Sequence, residues 1–413
     1  MLVWLLLWRM LTLIWKFSRP HTLIGSSISI ISLLFLVLYA SPVATNIEPS
    51  DLSAAAKTLI PGLDQLGPSL PAHQNKITGF IPVVTAKLMA FFGLLLPTLI
   101  VCLLCNIFIT GLNQIVDVEL DKINKPHLPL ASGELTVAHG KTIVAICGGL
   151  SVSLSWLIHP FFGGLITLIA AIGAMYSLPP IQFKKHHIWA ASAIALVRGP
   201  LINLGIALHF SILLFGSLNN SMGWLLPLVV FVTAFSLGIA WFKDIPDTAG
   251  DERYGYKTLA LVWSKQQALN AGRALVVSAY VFMAMYWFFI ESWIARWNQS
   301  PNVSPNILTG LSHLIFLLVF LMQCKKCDIQ NPKSIKRFYM FYWGLFFLEY
   351  LILPFILAEN HLFFRFYANR GKLNPFSGWD ALNLYNFWNH AEGPLNQTRT
   401  HHRQRADYHR TSL

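Results

Sequence analysis

Apolar residues in this chain fall in long unbroken blocks. They span residues 23–39, 88–112, 142–158, 161–178, 188–215, 224–242, 274–290, 307–322 and 338–357. Each block approaches the ~20 residues that a helix needs to cross a bilayer core. The pattern therefore predicts an all-α, polytopic membrane protein with about nine transmembrane helices. A transmembrane β-barrel is excluded, since its strands would show ~10-residue alternation. Residues 1–22 read as an N-terminal interfacial segment, because the apolar run Met1–Trp15 is followed by Lys16, Arg19, Pro20 and His21 rather than by a small-residue cleavage site. Residues 23–357 form the transmembrane domain. Within it, residues 41–80, rich in Pro, Ser and Gly, read as a long outer loop with one short helix. Residues 358–413 read as a polar, disordered tail.

Composition agrees with the pattern. Of 413 residues, 55% are hydrophobic and 12% are Asp, Glu, Lys or Arg, against roughly 25% charged in an ordinary soluble domain. Mean hydropathy is +0.54. A soluble isoprenoid synthase, although it too uses Asp-rich helices, would not be this apolar. The formal net charge of +12 does not imply nucleic-acid binding, because the basic residues follow the loops. From Lys16 onward, loops on the N-terminal side hold seventeen Lys and Arg, and opposite loops hold only Lys57, Lys76, Lys87 and Arg296. That asymmetry places the N-terminus in the cytoplasm. With an odd number of spans the Arg-rich tail falls outside against this bias, so either it is translocated despite its charge, the preferred reading, or the span count is off by one. Five cysteines include the pairs Cys102/Cys105 and Cys324/Cys327. Their place in apolar spans reads as small buried residues rather than as a zinc or redox site.

The acids carry the chemistry. Seven of the eighteen fall in two short windows, Asn113–Asp121 and Asp244–Glu252, each at the end of an apolar block. Four spans separate the windows, so both ends emerge on the same, basic side. Asn113, Asp117 and Asp121 are spaced i, i+4, i+8, and Asp244, Asp247 and Asp251 are spaced i, i+3, i+7; each set shares one helix face. Pro246 is expected to disturb the second helix near its end. Facing carboxylates repel, and each costs roughly 2.5–3.5 kcal/mol at bilayer depth. A divalent cation offsets that cost, and hard oxygen ligands suit Mg²⁺, which is typically held by carboxylates together with substrate phosphates. Solvated helix ends balanced by lysines are the blander account, and two such windows on one face disfavour it.

Basic residues of the same layer, Lys125, Lys184, Lys185, Lys243 and Lys257, complete a diphosphate site as point charges; singly, each also reads as a topology-setting lysine. Arg198 lies inside an apolar run, where it is costly unless paired or facing a polar cavity. It reads either as a carboxylate-binding residue lining the site or as the partner of an acid such as Glu349.

The run Asn113-Gln114-Ile115-Val116-Asp117-Val118-Glu119-Leu120-Asp121-Lys122-Ile123-Asn124-Lys125-Pro126, continuing to Leu130-Ala131-Ser132-Gly133, closely resembles the first motif of homogentisate prenyltransferases, members of the UbiA superfamily of aromatic prenyltransferases. Lys243-Asp244-Ile245-Pro246-Asp247-Thr248-Ala249-Gly250-Asp251 resembles their second motif. Phe17-Ser18-Arg19-Pro20-His21-Thr22, Tyr176-Ser177-Leu178-Pro179-Pro180 and Phe346-Phe347-Leu348-Glu349-Tyr350 resemble further stretches. The likeness extends from about Lys16 to Phe355. The loop at 41–80 and the tail look longer than is usual, and the lack of a plastid transit peptide favours a photosynthetic bacterium, with the chain in its plasma or thylakoid membrane.

The resemblance implies helices bundled around a central cavity and transfer of a prenyl group, phytyl in the first instance, to homogentisate with loss of its carboxylate. Solanesyl- and geranylgeranyl-using sister enzymes share the motifs. It implies Mg²⁺ held by Asp117, Asp121, Asp247 and Asp251, with Asn113 and Asp244 assisting. Lys184 and Lys125 would take charge developing on the leaving diphosphate, with Lys243 beside them. Tyr176, Trp241 and Tyr254 would offer π faces to an allylic cation. Arg198, or Arg19 with His21, would take the homogentisate carboxylate. The prenyl tail would leave sideways into membrane lipid. A cation or lipid transporter is the rival from another class; it would show more mid-span ionisable residues than Arg198 and Glu349.

Overall fold

A computed structural model of the chain describes residues 2–40, 76–216, 225–290 and 307–368. Two compact units divide the chain, residues 1–357 and 358–413. The first holds the helical bundle. It comprises α1 (Leu2–Phe17), α2 (Pro20–Ala40), α3 (Lys76–Val116), α4 (Val118–Asn124), α5 (Val137–Ile158), α6 (Pro160–Ser177), α7 (His187–Leu196), α8 (Ile202–Phe215), α9 (Leu225–Arg253), α10 (Lys265–Met285) and α11 (Ile307–Lys325). The last long helix, α12, is Pro332–Ala368. No strand occurs among the described residues; a single bridge joins His186 to Lys257.

Eight helical segments among the described residues have the length and apolarity to cross a membrane. They match eight of the nine expected spans. The ninth, residues 338–357, lies within α12. Two expectations need correction. Helix α3 begins at Lys76, within the stretch expected to be a loop; the rest of that loop, 41–75, lies outside the described residues. Helix α12 continues to Ala368, into the stretch expected to be a disordered tail; residues 369–413 lie outside the described residues. In both cases apolar residues such as Ile77, Phe80, Leu362 and Phe363 continue the run past the polar positions that suggested an end.

The bundle is held by apolar packing. Helix α3 packs on α5, α9 on α10, and α2 on α3. Aromatic side chains fill the contact between α9, α10 and α12: Phe235 stacks on Tyr342 with ring centroids 4.2 Å apart, and Tyr280 meets Phe231 edge-on. The Tyr342 hydroxyl donates to the Phe235 carbonyl at 2.9 Å, which satisfies the one polar atom of that ring. This plug fixes the rotation of α9 and hence the side on which its acids emerge. Outward-facing Leu150, Leu157, Leu168, Ile315, Leu318 and Met322 are exposed, as lipid-facing positions require.

Pro20 starts α2 at its first position, where a missing N–H costs nothing. The preceding Arg19 takes a left-handed φ of 55°, a conformation uncommon for a residue with a Cβ. That kink between α1 and α2 turns the Arg19 side chain toward the acids of α4.

Candidate active site

The first acidic window sits where α3 gives way to α4. Asp117 breaks the helix, with φ −100° and ψ 15°. The i, i+4 backbone bonds nevertheless continue through it, Asp117 N–H to Asn113 at 3.0 Å and Asp121 N–H to Asp117 at 2.7 Å. Asn113, Asp117 and Asp121 therefore keep a shared face, as their spacing predicts. The second window is the last turns of α9, which is continuous through Pro246 to Arg253. The expected disturbance is absent: proline removes a single intrahelical donor, and the turns beyond it are anchored from outside. The Gly250 N–H donates to the Asn124 side chain at 3.0 Å, and the Tyr256 N–H donates to the Asp251 carbonyl at 2.8 Å. Asn124 lies so close that a Cβ on Gly250 would meet its amide at 2.5 Å, so this contact needs glycine.

Side chains bring the two windows together. Lys125, just past α4, pairs with Asp247 on α9, and the Asn124 amide donates to Asp251 at 3.4 Å. Lys184, from the turn before α7, donates to Asp117 at 2.6 Å and to Asn113 at 3.4 Å. Lys243 lies 3.5 Å from Asp244 and donates to the Tyr176 hydroxyl at 3.2 Å. Asp117, Asp121, Asp244, Asp247, Asp251 and Lys184 are all buried. Of the remaining lysines, Lys185 and Lys257 contribute backbone: the Lys257 N–H donates to the Lys185 carbonyl at 2.7 Å. That tie places Tyr256, whose hydroxyl donates to Asp117 at 3.1 Å. Tyr256 and Asn124 were not picked from the sequence; they sit five residues after Asp251 and three after Asp121, and carry no charge to draw notice.

Burial pushes the Asp121 carboxyl up, against the pull of Arg19 and Lys125. Its Oδ2 has no hydrogen-bond partner, and the nearest Arg19 nitrogen is 3.7 Å away. Burial likewise pulls the Lys184 ammonium down despite Asp117, and burial with Asp117 alongside pushes the Tyr256 phenol up. A buried, acceptor-only oxygen without a donor beside further carboxylates is the donor set that a hard divalent cation takes. Among the described residues, no three acidic, histidine or thiol side chains already surround one point; lysine and amide donors lie between them instead.

A cavity of about 240 Å³ adjoins this layer; none of the five aspartates lines it, nor do Lys125 and Lys184. Asn113, Tyr176, Lys243, Arg19, His21 and Arg198 line it, as do Cys102 and Cys105 in an apolar wall with Ile166 and Ile169. Trp241 and Tyr254 do not. Trp241 packs against the hydrophobic core, and Tyr254 is 42% exposed. The aromatic faces come instead from Tyr339, Trp343 and Tyr350 of α12, of which the sequence marked only Tyr350 through the Phe346–Tyr350 stretch. Glu349 is not the partner of Arg198: it pairs with His313 at 3.1 Å, one helical step away from the cavity face.

The model of the UbiA prenyltransferase family matches residues 78–345. The homogentisate phytyltransferase of Synechocystis sp. is 32% identical over 83% of this chain and 94% of its own length. Homogentisate phytyltransferase 1 of Arabidopsis thaliana is 32% identical over 83% of this chain and 74% of its own. The homogentisate geranylgeranyltransferase of Hordeum vulgare is 28% identical over 83% and 72%.

Proposed function

Because the chain belongs to the UbiA prenyltransferase family, we propose that it transfers a prenyl group, phytyl in the first instance, from its diphosphate to homogentisate, with loss of the homogentisate carboxylate. The observation that carries this reading is the junction of two acid windows across α4 and α9 next to an aromatic-lined cavity, to which Asn113 and Lys243 belong. Asp117, Asp121, Asp247 and Asp251 would hold Mg²⁺, with Asn113 and Asp244 assisting. Bound there, the ion would neutralise the diphosphate and make it a better leaving group. The chain's own cations take up the charge that develops on the departing oxygens: Lys184 and Lys125 at the acids, and Lys243 beside Tyr176. The C–O bond to the diphosphate breaks and a C–C bond forms at a ring carbon of the acceptor, which gives up its proton. The C–C bond to the acceptor carboxylate breaks to release CO₂, and the methylene left behind takes up a proton, so that the two proton changes cancel. Tyr176, Tyr339, Trp343 and Tyr350 offer π faces to the allylic cation, and the apolar wall keeps out the water that would quench it. The acceptor carboxylate is taken by Arg198, or by Arg19 with His21. The prenyl tail lies along the wall of Ile166 and Ile169 and leaves between helices into lipid.

The excess of basic residues on one set of loops supports an orientation with the N-terminus and both acid windows in the cytoplasm. The plasma or thylakoid membrane of a photosynthetic bacterium is the proposed location, supported by the Synechocystis relative. Solanesyl and geranylgeranyl diphosphates are the rival donors, since relatives that take different donors match at similar identity.

The test uses purified protein in nanodiscs, labelled homogentisate and a panel of prenyl diphosphates, with and without Mg²⁺. Mg²⁺-dependent prenylquinol with release of CO₂ is expected, and the preferred diphosphate names the donor. Binding of prenyl diphosphate without any product would show that the acceptor is another aromatic. No binding of either substrate would favour transport.

A further inference from the structure

The helix that carries Arg198 is not regular. Between α7 and α8, residues Val197–Leu201 form a π-turn containing Pro200. Proline has no N–H and crowds the carbonyl four residues back, so the chain widens here; such π-bulges recur at functional sites. Gly199 lets α9 close over the bulge, since a Cβ there would meet the Thr233 hydroxyl at 2.1 Å. Two carbonyls of the bulge accept from one side chain. The Asn203 amide donates to the Arg198 carbonyl at 2.7 Å and to the Gly199 carbonyl at 2.8 Å. Its own oxygen accepts from the Tyr350 hydroxyl of α12 at 2.6 Å. Asn203 is 0% and Tyr350 1% exposed, so neither finds water as a substitute.

The Arg198 guanidinium lies over the Trp343 ring, 4.5 Å from its centre, and lines the cavity. No ion pair to it occurs among the described residues. A guanidinium inside a membrane bundle without a carboxylate partner is expensive and is matched by a planar anion that it can hold with two bonds. Arg19, the other candidate, already faces Asp121 at 3.7 Å.

We propose that Asn203 and Tyr350 are positioning residues that lock the π-turn, so that Arg198 presents its guanidinium to the carboxylate of the aromatic acceptor. This rests on the acceptor reading above and decides between its two carboxylate sites in favour of Arg198. Loss of that carboxylate as CO₂ also removes the product's attraction to Arg198, so turnover itself weakens product binding.

The experiment measures kcat and KM separately for homogentisate and for prenyl diphosphate in nanodiscs, with Tyr350→Phe, Asn203→Leu, Arg198→Gln and the double variant Tyr350→Phe/Arg198→Gln. Wild-type turnover of homogentisate tests the acceptor reading on its own, before any variant is compared. Tyr350→Phe removes a single oxygen and keeps the ring, so it serves if Asn203→Leu fails to fold. The expected result is an acceptor KM raised about tenfold or more in Tyr350→Phe and Arg198→Gln, as for loss of a charge-assisted bond, with the diphosphate KM unchanged. On the Arg198→Gln background, Tyr350→Phe then costs nothing further, because it keeps the ring and removes only a hydroxyl that acts through Arg198. An unchanged acceptor KM in Tyr350→Phe, an equal rise in both KM values, or the same penalty on the Arg198→Gln background would each overturn the proposal.

Discussion

Removing Lys184 separates structural pairing from metal binding, because the effect on stability should depend on the cation. Lys184 and Asp117 meet at 2.6 Å with side chains 4% and 6% exposed. At an effective dielectric of 20 the attraction at that distance is about 6 kcal/mol, most of it offset by the desolvation of both groups. Lys184→Met leaves Asp117 buried with only the Tyr256 hydroxyl, 3.1 Å away, which offsets about 1 kcal/mol. Breaking a buried pair from one side costs about 3–5 kcal/mol, or roughly 6–10 °C of unfolding temperature at about 2 °C per kcal/mol. If the carboxylates form a cation site, Mg²⁺ at a hundred times its dissociation constant returns about 2.7 kcal/mol. The variant therefore recovers stability with Mg²⁺, whereas Lys184→Met/Asp117→Asn, which removes both charges, is less destabilised and responds weakly. The assay is thermal unfolding in detergent across a Mg²⁺ titration. A single variant as stable as the parent, or one whose loss no concentration of Mg²⁺ reduces, would refute this reasoning.

Other substitutions give shorter tests. Asp117→Ala and Asp247→Ala, correctly inserted, should each lose at least about 100-fold in prenyl transfer; full activity in both would remove the acids from the reaction. Chelation should abolish turnover and Mg²⁺ restore it, and isothermal titration should show prenyl diphosphate and Mg²⁺ each tightening the other by about 5–150-fold, whereas independent binding would contradict a shared site. Tyr256→Phe, which leaves Asp117 with Lys184 alone, should cost about 1 kcal/mol of stability without changing acceptor KM. A change confined to acceptor KM would move Tyr256 to the aromatic subsite.

The legible part of the molecule was whatever repeats along the chain. Apolar blocks mark helices because each residue of a lipid-facing helix obeys the same solvent, and the i, i+4, i+8 acids hold their face even where Asp117 breaks the helix. Pairings set by tertiary approach were not legible. Nothing local distinguishes Tyr256 from Tyr254, two residues away, yet one reaches Asp117 and the other is exposed. The difference is made by the Lys185–Lys257 backbone tie, which joins segments 72 residues apart. The same holds for Arg198: its depth in an apolar run was visible, but the choice between Glu349 and a cavity depended on His313 reaching Glu349 first.

The distribution of charge explains why these sites occupy one layer of the bundle. Asp117, Asp121, Asp244 and Asp247 face Lys184, Arg19, Lys243 and Lys125 in turn, and Asp251, held by the Asn124 amide, is the one formal negative charge in excess. At bilayer depth a larger imbalance carries a steep cost, so the acids can gather only because lysines interleave them. A prenyl diphosphate brought in alone would add several negative charges to that layer, and a divalent cation alone would overturn its sign. Entering together, as the proposed reaction requires, they would nearly cancel, and the lysines would be free to bond phosphate oxygens. The apolar wall and the Arg198 pocket lie deeper and hold no carboxylate. In the proposed reaction the cation left by the departing diphosphate would therefore meet rings rather than acids, and an anionic acceptor would meet the Arg198 guanidinium rather than the lysines assigned to the donor. In that reading, separation of the two anions along the cavity would keep each from occupying the other's place.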